Sequence, residues 1–304
     1  MKTNLDHLPE KKQRELGRIV DILHEEFDDA LAEGTAGFKK RGRILKIILF
    51  GSYARGDWVD EPHTKKGYRS DYDLLIVINN RKLADFAAYW AKAKDRLLRD
   101  RGVKTVVSFI VHSRREVNTA LREGQYFFTD IRREGIVLYE LDDEPLAEPR
   151  PLTSKDAWRV AKENFKDRFP FAQGLMDSIR LHTEKGRYKI AAFEMHQAIE
   201  HAYSTVLLTL TNYGPPSHNL TFLRSLAEDQ DHRLADIWPR DQHRYTAWFN
   251  TLNEAYVKAR YSRYYEISEE ALRWLGERTV QLHELVELVC REHLEKLGKE
   301  AGKS

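Results

Sequence analysis

The sequence predicts an α+β N-terminal half, a small mixed sheet with flanking helices, followed by an all-α helix bundle. Three observations lead there. Between residues 40 and 140, short apolar, β-branched runs alternate with stretches of helical periodicity. Residues 141–151 are acidic and contain three prolines, so they can continue neither a helix nor a central strand. Beyond them the pattern is helical throughout. These features place one domain over residues 1–145 and a second over residues 152–304.

Element by element, residues 9–33 read as an amphipathic helix, with Leu16, Ile19, Val20, Leu23, Phe27, Ala30 and Leu31 on one face and Gly34 as its stop. Ile44 to Phe50 is a short apolar run ending at Gly51 and Ser52, which predicts a buried strand and a turn. A second strand is expected over Asp71 to Ile78 and a helix over Leu83 to Arg101. A third strand is expected from Val103 to Val111, a helix from Ser113 to Arg122 and a last strand from Gly135 to Tyr139. In the second half, helices are expected at 154–185, 188–212, 219–229, 241–261 and 267–296. Their core is drawn from Phe193, Ile199, Tyr203, Leu207, Phe222, Leu226, Trp248, Leu252, Tyr256, Leu272, Leu275, Val286 and Val289.

Composition narrows the function classes. Fifty Lys and Arg against 48 Asp and Glu give a formal charge of +2, so the total charge demands neither nucleic acid nor an anionic membrane, and any phosphate site must be local. The single cysteine, Cys290, excludes an internal disulfide, and no Cys/His cluster has zinc spacing. No apolar run is long enough for a membrane span or a signal sequence, so a cytoplasmic protein is expected.

The chemistry-bearing stretch runs from Phe50 through Gly51, Ser52, Tyr53, Ala54, Arg55 and Gly56 to Ser70, Asp71, Tyr72 and Asp73. Gly51 lets the backbone turn sharply and approach a triphosphate. Ser52 and the N–H groups after it can donate to phosphate oxygens, and Arg55 can add a cation. Asp71 and Asp73, two apart on a strand, project from one face roughly 7 Å apart at Cα and can converge on divalent ions. Paired Mg²⁺ ions roughly 4 Å apart activate an attacking oxygen and neutralise a pyrophosphate leaving group. Taken singly, a Gly-Ser turn is common and an Asp-x-Asp at a strand mouth can serve as a cap; the order of the parts is what points to a site. The P-loop and dinucleotide glycine motifs are absent. The insert from Asp57 to Arg69 reads as a loop beside this cleft, either solvated or an acceptor-recognition element.

These residues resemble the minimal nucleotidyltransferases of the polymerase β superfamily over roughly residues 40–140. The resemblance implies ATP as substrate, Mg²⁺ as cofactor and transfer of a nucleoside monophosphate to a hydroxyl. It gives Gly51 and Ser52 the phosphate turn, and Asp71 and Asp73 the metal. One departure stands out: the family usually carries a third carboxylate on the next strand, and residues 103–111 contain no acid. Ser108 or His112 stands near the place, with Glu116 beyond it.

In the second half, the stretch from Glu184 to Tyr203, with Gly214 to Leu220 and Tyr256 to Tyr261, resembles HEPN domains, over about residues 153–296. That likeness implies an Arg-x4-6-His ribonuclease pair, for which only Arg278 and His283 have the spacing in this half. In some paired toxin–antitoxin systems a Tyr following the His is modified; Glu284 and Leu285 stand there, leaving Tyr261, Tyr264 and Tyr265 as other acceptors. His196, Glu200 and His201 lack zinc spacing and read as packing or hydrogen-bonding residues. Arg260 to Tyr265 reads as a base-stacking segment or, more commonly, as a helix or homodimer interface. Three functions follow: AMP transfer to a small molecule, a protein tyrosine or an RNA end; a ribonuclease restrained by its N-terminal partner; or a catalytically silent nucleotide-binding module.

Overall fold

The computed structural model describes residues 1–32, 35–59 and 69–302. Residues 60–68 of the insert after Asp57 lie outside them. The described chain forms two compact units, one from residues up to Pro151 and one from Leu152 onward.

In the first unit, α1 (Glu10–Ala32), α2 (Gly37–Lys40), β1 (Ile44–Phe50), the single-turn α3 (Ser52–Arg55) and β2 (Tyr72–Ile78) follow one another. A 3-10 turn (Arg81–Ala84), α4 (Phe86–Tyr89) and α5 (Ala91–Arg99) lead to β3 (Val107–Ser113). Then come α6 (Arg114–Arg122), α7 (Tyr126–Glu134) and β4 (Ile136–Glu140). The sheet has the order β3-β2-β1-β4, with β1 antiparallel to β2 and β4, and β2 parallel to β3.

Every residue of β1 and β2 is buried, which is why both runs are continuously apolar instead of alternating. On one face, Leu16, Ile19, Leu23 and Phe27 of α1 share a core with Ile47, Leu49, Leu74, Ile76, Trp90 and Phe109. Each such side chain contributes about 1.5–3 kcal/mol on burial. Trp90 stacks on Phe27 with ring centres 4.8 Å apart and donates its indole N–H to the Leu83 carbonyl at 2.7 Å. On the other face, Phe50 meets Phe127 of α7 edge to face.

The third strand begins four residues later than the sequence pattern indicates, and the reason is one carboxylate. Buried Glu15 on α1 accepts the backbone N–H groups of Lys104 and Thr105 and the hydroxyl of Tyr72, which takes residues 104 and 105 out of the sheet ladder. The expected helix over 83–101 is interrupted because the Asp85 side chain caps the Ala88 N–H and starts a new turn. Helix α7, with Phe127, Phe128 and Ile131 buried, had no counterpart among the sequence expectations.

The second unit is helical: α8 (Ser154–Glu184), α9 (Tyr188–Thr211), α10 (Leu220–Gln230), a 3-10 segment (His232–Ile237), α11 (His243–Asn253), α12 (Ala255–Tyr261) and α13 (Glu269–Glu300). Thr153, Asn219 and Ser268 cap α8, α10 and α13 with their side-chain oxygens. The predicted helix 241–261 breaks at Glu254, which closes α11 and opens α12. Ile199, Tyr203, Leu207, Leu226, Leu252, Leu272, Leu275, Val286 and Val289 are buried as expected, whereas Phe193, Phe222, Trp248 and Tyr256 are half-buried. Among the described residues, no helix is long and apolar enough to cross a membrane.

Candidate functional site

The site is built at the mouth of the β1/β2 pair. β1 delivers Gly51, which has φ +72° and ψ −156° and is the N-cap of α3. A side chain there is disfavoured twice: the backbone lies in the region that favours glycine, and a Cβ would come within 2.8 Å of Asp73 Oδ2, so that the carboxylate would have to shift. The bare Gly51 backbone therefore packs directly against the Asp73 carboxylate. The same placement follows from register, since Phe50 pairs with Asp73 across the two strands.

Asp73 in turn lies opposite Ser108 on the parallel strand β3, and the Ser108 hydroxyl is 3.5 Å from Asp71 Oδ2. Ser52, Asp73 and Ser108 are buried, while Asp71 is half-buried. Between the two aspartates, Tyr72 points to the other face, where its hydroxyl donates to Glu15 at 3.0 Å and sits with Tyr53 at a ring distance of 4.4 Å. Burial, reinforced by the Glu15 charge, drives the Tyr72 phenol far above its ordinary range. For Glu15 itself burial acts upward, but the Lys104 and Thr105 N–H groups, Tyr72 and Lys12 outweigh it and hold the carboxyl below the usual range. The strand carrying the aspartates is thus fixed from behind by a buried, hydrogen-bonded anion.

Gly51, Ser52, Asp71 and Asp73 come together as the spacing indicates. Arg55, on the last residue of α3, forms an ion pair with Asp57 at 3.2 Å and faces Asp130 of α7. Burial raises the Asp130 carboxyl against the opposing pull of Arg133 and Arg55. Of the three groups named near the expected place of a third acid, Ser108 is the one that faces Asp73 in register. His112 pairs with Val77, four residues further along β3 and so about 13 Å away, and packs against Phe128. Glu116 is committed to a capping box with Ser113 and an ion pair with Arg81.

Lys94, a residue that nothing in the sequence pattern singled out, also enters this neighbourhood. From α5 its ammonium donates to the Val107 carbonyl, one residue before Ser108, and it lies 6.0 Å from the Phe109 ring centre. Burial pulls its pKa down, while Asp71 and Asp73 pull it up.

Among the described residues, no cluster of three or more His, Cys, Asp or Glu side chains could hold a metal ion. The oxygens of Asp71, Asp73 and Ser108 nevertheless form a hard donor set, suited in chemistry to Mg²⁺.

In the helical unit, Arg278 and His283 both lie on α13, but five residues turn an α-helix by about 140° and so separate their directions. His283 is buried, with Nε2 3.4 Å from the Ala198 carbonyl and its ring against Phe169, and burial lowers its pKa. Arg278 lies over Trp274 and donates to Gln281 at 3.0 Å. Among the described contacts, none joins Arg278 to His283. His196 is fully buried and donates to the His218 carbonyl at 3.0 Å, Glu200 binds His218 Nδ1 at 3.0 Å, and His201 packs on Phe171. Tyr261 and Tyr264 are exposed; Tyr265 is buried and donates to the Thr251 carbonyl at 3.2 Å.

Comparison with known proteins finds a match in each half. A nucleotidyltransferase domain family model matches residues 34–127, and a HEPN domain family model matches residues 166–289. A Methanocaldococcus jannaschii protein, provisionally named a protein adenylyltransferase, is 42% identical over 101 residues, which are 33% of this chain and 84% of that protein. The solved crystal structure of a nucleotidyltransferase-like protein from Exiguobacterium sibiricum is 13% identical and covers 92% of this chain and 79% of its own, with a TM-score of 0.27, too low for an argument about fold or function.

Proposed function

This chain belongs to the nucleotidyltransferase family, and from that premise we propose that it transfers AMP from ATP to a hydroxyl acceptor, with Mg²⁺ held by Asp71 and Asp73. The observation that carries the proposal is the contact at Gly51. A bare glycine turn at the end of β1 packs against the carboxylate that would share the cation, at a position where a side chain would be strained.

In this reading the unpaired N–H groups that open α3 and the Ser52 hydroxyl receive the triphosphate, and Arg55 supplies positive charge at the end of that turn. A divalent cation bound at Asp71 and Asp73 would neutralise the phosphates and the departing pyrophosphate. Asp71 and Asp73 hold their shared orientation because Tyr72, between them, is anchored to Glu15. The acceptor hydroxyl oxygen forms its bond to the α-phosphorus as the bond to the bridging oxygen breaks, its proton passes to water, and pyrophosphate leaves. The name of the Methanocaldococcus relative favours a protein hydroxyl as acceptor. Within this chain Tyr261 and Tyr264 are exposed enough to serve, whereas Tyr265 is not.

Ser108 in the place of a third acid favours a second reading, a nucleotide-binding module without turnover. One experiment separates the two: incubation with α-labelled ATP and Mg²⁺, followed by measurement of label on protein. Transfer that disappears in Asp73→Asn supports the enzyme; saturable ATP binding with no transfer supports the silent module; neither binding nor transfer removes both.

A further inference from the structure

Asp71 stands one residue beyond the end of the sheet. The ladder with β1 closes at the Phe50–Asp73 pair and the ladder with β3 at Tyr72–Val107, so Asp73 lies within the strand and Asp71 lies just outside it. The Ser108 hydroxyl meets the Asp71 carboxylate at 3.5 Å, but the backbone that carries this carboxylate is fixed from another direction. The Ser70 N–H donates to the Val59 carbonyl at 2.9 Å, and the Val59 N–H donates back to the Ser70 hydroxyl at 3.0 Å. Ser70 is buried, so this reciprocal pair closes where water competes little. On the other side of Asp71, the Tyr72 N–H donates to the Val106 carbonyl at 2.8 Å. Asp71 is thus spanned by two residues whose backbone is tied down.

The pair at residues 59 and 70 is itself seated on the site. Trp58 stacks on Tyr53 of α3 with ring centres 5.5 Å apart, and Tyr53 meets Tyr72 of β2 at 4.4 Å. His7 Nε2 lies 2.8 Å from the Tyr53 carbonyl, and its ring meets Trp58 edge to face. A column of rings therefore joins the turn after Gly51, the strand of the aspartates and Trp58. Within a sheet, backbone groups satisfy one another; here a side chain meets the Val59 N–H, so alanine at position 70 would leave that group without its acceptor.

We propose that Ser70 is a positioning residue for Asp71: through Val59, its hydroxyl fixes the chain where the sheet ends and so sets the Asp71 carboxylate beside Asp73. The proposal rests on the metal reading of Asp71 and Asp73 given above. Its consequence falls on metal affinity, because Mg²⁺ takes its oxygens at about 2.1 Å in near-ideal octahedral geometry and tolerates little displacement of a ligand.

The test is a titration of the full chain with Mn²⁺ alone, read by electron paramagnetic resonance, beside melting curves of each variant. Ser70→Ala should bind Mn²⁺ about tenfold more weakly than wild type with a melting curve close to it, and Ser70→Thr, which keeps the hydroxyl, should recover most of the loss. In an Asp71→Asn background, Ser70→Ala should cost nothing further, because the carboxylate it positions is gone. Should Ser70→Ala fail to fold, Trp58→Ala against Trp58→Phe carries the comparison, with the loss expected from the first alone. Wild-type affinity in the folded variant without hydroxyl or ring overturns the proposal. So does a folded Ser70→Thr as weak as Ser70→Ala, or an equal further loss on top of Asp71→Asn. Mn²⁺ uptake that neither Asp71→Asn nor Asp73→Asn weakens overturns the metal reading itself, a different and separately visible failure.

Discussion

The two units handle buried polar groups in opposite ways. In the helical unit, Arg224 is tied to Glu228 at 2.6 Å, Arg240 to the same carboxylate at 2.7 Å, Trp238 to the Tyr203 hydroxyl at 2.7 Å, and His196 and His283 each to a backbone carbonyl. These contacts tie helix to helix and specify a packing arrangement, although among the described residues His196 Nδ1 has no hydrogen-bond partner. In the N-terminal unit, buried Asp73, Ser52 and Ser108 converge on a glycine turn, and the closed network lies one layer behind them, at Glu15. A buried polar residue by itself therefore says little. What distinguishes this site is that its carboxylate packs against a bare glycine turn at the mouth of two paired strands.

Four substitutions would break or sharpen this contrast, and the largest effect is expected on chemistry. Asp73→Asn should reduce label transfer from ATP by about a thousandfold, with an unchanged melting curve, since it removes charge at the position of greatest charge development. Radiolabel counting alongside circular dichroism checks both halves of that expectation. Gly51→Ala comes next: positive φ and the 2.8 Å approach to Asp73 should cost about 1–3 kcal/mol in urea unfolding and lower transfer as well. A variant as stable and active as wild type would remove the case for a tight turn.

The third prediction concerns the helical unit. Burial holds the His196 imidazole down at about 4 against an ordinary 6.5, so the unfolded chain takes up a proton before the folded one does as the pH falls. Its contribution is fully present above pH 6.5 and is lost progressively down to about 4, amounting to at most about 3 kcal/mol. His196→Gln, which can still donate to the His218 carbonyl, should flatten stability over that window without altering ATP binding; denaturant midpoints at a series of pH values measure it. Glu15 carries the smallest effect. Its carboxyl is held below the ordinary glutamate range, so its stabilisation is present above that range and lost as acid reprotonates it. Glu15→Gln should cost about 1–2 kcal/mol at neutral pH, and the loss should shrink in acid. A pH-independent difference would show that shape rather than charge fixes β2 from behind.

Much of the first unit was legible because its signals are local. The run Ile44 to Phe50, the Gly51–Ser52 turn and the two-residue spacing of Asp71 and Asp73 each follow from periodicity and glycine geometry, and the structure joins them as spacing requires. What was not legible depends on contacts between distant residues. The start of β3, and so the choice of Ser108 over His112 as the neighbour of Asp73, is decided by a carboxylate on α1, 93 positions before Ser108 in the chain. Lys94 is one basic residue among several in its stretch, and only the path of the crossover brings it to the Val107 carbonyl. On α13, the five-residue spacing of Arg278 and His283 matches a motif in one dimension, while the contacts of each, Trp274 and Gln281 for one and Ala198 and Phe169 for the other, depend on packing that the spacing does not carry.

The parallel pairing of β2 with β3 also bears on how the protein comes to be active. Gly51, Asp73 and Ser108 are contributed by three strands, and the last joins only after the connection through α4 and α5 has been threaded and its loop entropy overcome. A half-assembled chain can have native helices and a β1–β2 hairpin and still lack any place for ATP. Nucleotide uptake should therefore be the last property to return on refolding, later than helical signal, and would serve as a sensor of correct threading.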